Sequence, residues 1–158
     1  MSTWRLGIIA LIIFVAAPRP RFRLAAVGPV RLASGFVAIA PSASPFGLAA
    51  TKDGRVLYDL DINVHNLPPA FTLGAFTTYH AWLATPNLET VHHLGVVAND
   101  TALRANADWN KFTVVITAEA ATVGQHWRGP TVLVGRSPSS LMQSFAGHPF
   151  YNTGMPPD

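Results

Sequence analysis

Six histidines, His65, His80, His92, His93, His126 and His148, are the side chains of this sequence best suited to hold a metal or move a proton. Their spacing limits what they can do. Adjacent His92 and His93 on a strand point to opposite faces and cannot share an ion from that strand. His80 and His92 are the pair placed to meet across neighbouring strands. Asp59 and Asp61 lie two apart, on one face of a strand, as paired carboxylates of the kind that hold calcium. None of these spacings forms a recognised metal signature. The chain has no cysteine, which excludes thiolate zinc, iron–sulfur clusters, a thiol nucleophile and blue copper. We therefore expect no metal and no cofactor.

Other catalytic constellations are equally unsupported. Ser137-Pro138-Ser139-Ser140 lacks the Gly-x-Ser-x-Gly context of a hydrolase elbow, and no glycine-rich phosphate loop occurs. Nothing places Glu89, Glu119 or the aspartates as a pair across a cleft. Asn99-Asp100-Thr101 matches a glycosylation sequon and is read as a turn. The expectation is a protein that is not an enzyme and has no small-molecule substrate.

The elements that would carry these residues are strands. Val56, Tyr58, Leu60, Ile62 and Val64 alternate with polar partners between Arg55 and His65, a strand with one dry and one wet face. Thr78–Ala84, Thr90–Ala98, Trp109–Glu119 and Thr131–Val134 follow, with Pro-, Asn- and Gly-containing turns between them. Short strands at such spacing predict an all-β, Greek-key-like sandwich over residues 51–136. Residues 137–158 are expected to form one short helix, capped by Ser137 with Pro138 at its first position, and an irregular tail. Trp82 and Trp109 fit strand positions, whereas Trp127 falls in a loop and is a candidate anchor for a partner.

The N-terminal third is different. Leu6–Ala17 reads LGIIALIIFVAA, about 18 Å as a helix against about 30 Å of hydrocarbon. Its length suits a signal-peptide core. However, Pro18 and three arginines follow in place of a clean cleavage site, so a retained anchor over residues 1–17 is expected. It would be formed by Trp4, Leu6, Ile8, Ile9, Leu11, Ile12, Ile13 and Phe14 in contact with membrane lipid. Residues 18–50 are apolar and punctuated by proline. They are read as an extended strap on another surface or, equally, as a first strand of the chain's own domain over Phe36–Ala40.

Charge separates the same two regions. No acidic residue precedes Asp53, while Arg5, Arg19, Arg21, Arg23, Arg31 and Lys52 do; beyond that point the chain is mildly acidic. The folded part has no basic face, so nucleic acid is not an expected partner. Arg19, Arg21 and Arg23 are candidates to meet lipid phosphates or the carboxylates of a membrane complex. Only 12% of residues are charged, against about 25% in an ordinary soluble domain, which implies a surface partly covered by lipid or protein.

Leu67-Pro68-Pro69, Tyr79-His80-Ala81-Trp82-Leu83, Leu94-Gly95, Val114–Glu119 and Gly129-Pro130-Thr131-Val132-Leu133-Val134-Gly135 occur in an order that resembles the extracytoplasmic domain of the anti-sigma-K factor family. The resemblance covers roughly half the chain. It implies a β-sandwich on the outer side of a bacterial inner membrane. Family members that bind a sigma factor carry a helical domain, often with a His/Cys zinc motif, before their membrane helix; here few residues precede the apolar core, and there is no cysteine.

Together these features lead to the expectation of a non-catalytic, membrane-extrinsic subunit. It would stabilise a large bacterial membrane complex, such as a respiratory or photosynthetic reaction-centre–antenna assembly, on its periplasmic face, with integral membrane subunits as partners. The arginine flank by itself favours the cytoplasmic side. Two alternatives stand beside this reading: a membrane-tethered sensor or ligand-binding sandwich, and a secreted metal-binding, cupredoxin-like protein.

Overall fold

A computed structural model describes residues 19–140. The alternation of apolar and polar side chains is converted into ten strands: β1 (Arg21–Ala26), β2 (Ser34–Pro41), β3 (Ala43–Ser44), β4 (Gly47–Leu48), β5 (Tyr58–His65), β6 (Thr78–Ala84), β7 (Val91–Val97), β8 (Leu103–Ala107), β9 (Thr113–Glu119) and β10 (Thr131–Arg136). A single 3-10 turn, Ala70–Leu73, follows Pro68-Pro69. β3 and β4 form a small hairpin; the other eight form one antiparallel sheet in the order β7-β6-β9-β10-β1-β2-β5-β8. The sheet curls until its two edges, β7 and β8, come together. Gly95 of β7, at φ +144°, lies where a Cβ would be 3.1 Å from Leu103 of β8, so the edges approach because that position has no side chain. The result is a nearly closed, barrel-like sandwich.

The inside is filled mainly by alternate residues of the long strands, with Val132 and Leu133 adjacent at the irregularity in β10. Leu24, Val37, Leu60, Ile62, Val64, Leu83, Phe112, Val114, Ile116, Val132 and Leu133 are wholly or almost wholly buried in a single core. Each contributes about 1.5–3 kcal/mol relative to exposure. Phe22 packs edge-on against Phe112 with ring centroids 6.0 Å apart, joining the first strand to the residue that leads into the ninth.

This last contact decides between the two readings of residues 18–50. Arg21-Phe22-Arg23-Leu24 has a strand's alternation, arginines out and apolar residues in. β1 lies between β10 and β2, and β2 pairs along its whole length with β5. The stretch expected as a strap on another surface thus supplies two strands of the protein's own sheet, and the domain begins near Arg21, not at residue 51. β2 also extends beyond the Phe36–Ala40 segment at both ends.

At the far end, Ser137 closes the sheet. Its hydroxyl donates to the Asn110 carbonyl at 2.7 Å and accepts from the Phe112 amide at 3.1 Å. Pro138–Ser140 turn helically, with the Ser140 amide directed at the Ser137 hydroxyl, 3.4 Å away, in the cap position. The remainder of the expected helix and tail, His148 included, lies outside the described residues. So do Trp4, Leu6, Ile8, Ile9, Leu11, Ile12, Ile13 and Phe14. Among the described residues, no helix is long and apolar enough to cross a membrane.

Candidate functional site: the end of the barrel at Arg19 and the hairpin

The N-terminal segment enters the barrel through Arg19 and Pro20. The Pro20 carbonyl accepts from the Ile39 amide at 2.8 Å, fixing the entry beside the end of β2. Three residues after Ile39, Ser42 begins the β3–β4 hairpin, whose base is closed by the Ala49 amide on the Ser42 carbonyl at 2.8 Å. Because β1 and β2 are antiparallel, the start of one lies beside the end of the other. The first described residues, Arg19 and Pro20, and the hairpin therefore share one end of the barrel. At the hairpin tip Phe46 is fully exposed and Leu48 is 62% exposed, a large apolar pair with no core to enter. The whole chain up to Lys52, hairpin included, lacks a carboxylate.

The outer face next to this end is a charged ladder. Arg21, Ala38, Asp61 and Arg104 lie in one row across β1, β2, β5 and β8. Arg23, Phe36 and Asn63 form the next row. Arg19 donates to Asp61 at 2.9 Å, and Arg104 approaches the same carboxylate at 3.7 Å. Asp59, one row along, accepts from the Ser42 hydroxyl and from Asn106 at 2.8 Å, which ties the hairpin base to β5 and β8. Arg21 places its guanidinium 5.7 Å from the Phe36 ring centroid. Asp59 and Asp61 do share a face, as expected, but they serve to seat Arg19, Ser42 and Asn106. Arg19 and Arg21 are thus partly engaged within the chain. Arg21 and Arg23 remain exposed along the ladder.

A second polar group occupies the outer face of β6, β7 and β9. The expected meeting of His80 with His92 does not occur. The β6–β7 pairing passes from Ala81–Gly95 to Trp82–His93, leaving Leu94 as an extra residue. A one-residue bulge turns the rest of the strand over. His93 thereby comes to the side of His80, and its Nε2 lies 2.8 Å from His80 Nδ1. His92 goes to the other side and packs edge-on against Trp109. His80 is buried and its Nε2 pairs with the Thr78 hydroxyl at 2.8 Å. Burial lowers the His80 pKa, and the neighbouring His93 lowers it further; Glu119 acts in the opposite direction.

Trp82 Nε1 donates to Thr117 Oγ1 at 2.9 Å, and that hydroxyl donates to Glu119 at 2.7 Å. The buried Glu119 carboxylate also accepts the Arg128 and Gly129 amides at 3.2–3.3 Å. It thus supplies a structural anchor for the β9–β10 loop. Gly129 is required there, since a Cβ would meet the Ala118 carbonyl oxygen at 1.7 Å. Trp127, expected as a partner anchor, lies half-buried against Trp82, ring centroids 6.0 Å apart. His65 of β5 bonds to Asp100 in the turn between β7 and β8, and Asn99 ties the same turn to the backbone of Leu67. Among the described residues, no group of three or more histidine or carboxylate side chains converges as metal ligands.

Sequence reasoning missed the hairpin's exposed Phe46 and the Glu119 anchor. The first had a visible signal, Pro45-Phe46-Gly47 in a short acid-free turn; the second had none, because its partners are the backbone amides of Arg128 and Gly129 and one threonine hydroxyl. No family model, curated protein or solved structure matches the chain.

Proposed function

We propose that this protein is a non-catalytic, membrane-extrinsic subunit of a large bacterial membrane complex, held on the periplasmic face of the inner membrane. The observation that carries the reading is the shared end: Arg19 and Pro20, which follow the apolar segment in the sequence, lie beside a hairpin whose tip presents Phe46 and Leu48 to the surroundings. Apolar tips of that kind gain by entering lipid or a neighbouring apolar subunit, at about 25 cal/mol per Å². Arg21 and Arg23, on the adjacent outer face, suit lipid phosphates or the carboxylates of integral subunits. In this role the sandwich is a rigid support, and the complex it stabilises is of the respiratory or photosynthetic reaction-centre–antenna type.

The resemblance to the anti-sigma-K extracytoplasmic domain belongs to the same proposal. Two of the segments that carry it make local contacts: Tyr79 donates to the Pro68 carbonyl at 2.8 Å, and the Gly129 amide donates to Glu119 at the end of β9. The test is fractionation of native cells. The full chain should sediment with inner membranes, resist a high-salt wash and be cut by protease added to spheroplasts. Recovery in the soluble fraction after cell lysis would overturn the membrane assignment, and protection from the protease would overturn the periplasmic one.

A further inference from the structure

We propose that His80 and His93 form a binding site for a divalent first-row transition ion of imidazole preference, Cu(II) or Zn(II), with His126 as a third ligand from across a cleft. The two imidazoles already face each other nitrogen to nitrogen, His80 Nδ1 to His93 Nε2 at 2.8 Å. Neutral imidazole has one bare nitrogen and one N–H, so such a contact holds one proton on the line between the rings. A metal can take that place. Two nitrogens bound to one ion at about 2.0–2.1 Å each stand about 2.9–3.4 Å apart, so the rings need to spread by only a few tenths of an ångström.

The surroundings are arranged as metal-bound imidazoles require. The far nitrogen of His80 is held by the Thr78 hydroxyl at 2.8 Å, which orients the ring and leaves Nδ1 directed at His93. The His93 ring packs on Trp82 with centroids 4.7 Å apart. Trp82 in turn holds Trp127, and Glu119 holds the amides of Arg128 and Gly129. The loop is therefore pinned at Trp127 and at the Arg128 and Gly129 amides, directly after the exposed His126. His126, His93 and Glu89 line one open cleft of about 500 Å³ between the start of β7 and this loop. Since three ligands do not yet converge, the site is a pair of imidazoles on which the exposed His126 closes. Binding moves the proton on the line between the rings to the far nitrogen of the same imidazole, so each ligand stays neutral; protonated imidazoles cannot bind, so affinity must fall as pH falls through the histidine range.

The test is calorimetric titration of the full-length, untagged protein in detergent with Zn(II), and separately with Cu(II) followed by electron paramagnetic resonance. One equivalent should bind, and the copper spectrum should show couplings to nitrogen. His93→Ala removes an exposed side chain, so the fold persists; it should weaken binding by about tenfold or more. His126→Ala should weaken it less, and His65→Ala, whose partner is Asp100, not at all. Equal binding by the wild type and His93→Ala, or no binding by either, would overturn the site. Unchanged affinity in His126→Ala would remove the third ligand from it.

Discussion

Arg19 and Asp61 form an ion pair at 2.9 Å that fastens the first residues of the barrel to the middle of β5. Asp61 stands in the same row as Arg21 and Arg104, so one carboxylate serves several cations on that face. Arg19 is 58% exposed, and exposed pairs of this kind contribute about 0–1 kcal/mol. Asp61→Ala should accordingly leave the fold and the assembly nearly unchanged. Replacing Arg19, Arg21 and Arg23 together with Gln should leave the melting temperature within a few degrees. The same change should release the protein from its membrane or complex at lower salt. Co-sedimentation across a salt series checks this; an unaltered release profile would contradict a role for the arginines outside the chain.

The core makes the opposite demand. Ile116 is fully buried in β9, between β6 and β10. Ile116→Ala should cost about 2–5 kcal/mol, measured by denaturant unfolding. That is a large part of the stability of a domain this size, so the variant should be lost from cells. A cost below about 1 kcal/mol would mean that the core packing described here is wrong.

How much of this was legible follows from where the apolar signal is strong. β5 and β9 announce themselves by large residues in alternation and β6 by its aromatics, and β6 occupies the expected Thr78–Ala84. β1 has the same alternation, but prolines around it and arginines at every second place suggested a strap. β8, Leu103–Ala107, was missed because its inward residues after Leu103 are alanines, too small to carry a periodic signal. The histidine pair depended on a bulge at Leu94. A register shift of one residue exchanges the faces of His92 and His93, and nothing local to either histidine shows it.

Glu119 offers a direct test of the loop anchor. Glu119→Gln leaves only one oxygen for the Thr117 hydroxyl and the Arg128 and Gly129 amides, at an expected cost of about 1–3 kcal/mol. Limited proteolysis should then cut within residues 120–130, and fluorescence from Trp82 and Trp127 should shift. An intact loop and unchanged emission would show that the carboxylate is dispensable.

Acid should weaken the fold through His80. Its pKa is lowered in the folded protein by burial, with the adjacent His93 acting the same way. Below the ordinary histidine value of about 6.5, the unfolded chain takes up a proton that the folded one resists. The stability is therefore intact above that pH and is lost as pH falls through it towards the lower folded value. Melting temperatures from about pH 8 to about pH 5 should decline, and the decline should be shallower in His93→Asn, which removes the neighbouring imidazole. An identical profile in the two proteins would exclude coupling between the pair.

The central claim, a support subunit fixed in a membrane assembly, is tested most directly by size. Native membranes extracted in mild detergent and resolved on a native gel should carry this protein in a band far larger than the 16.9 kDa chain, together with integral membrane subunits. Phe46→Ser and Leu48→Ser, combined at the hairpin tip, should shift it out of that band while the isolated protein melts as before. Migration of the wild-type protein as a small monomer would contradict the account and favour a free-standing tethered sandwich.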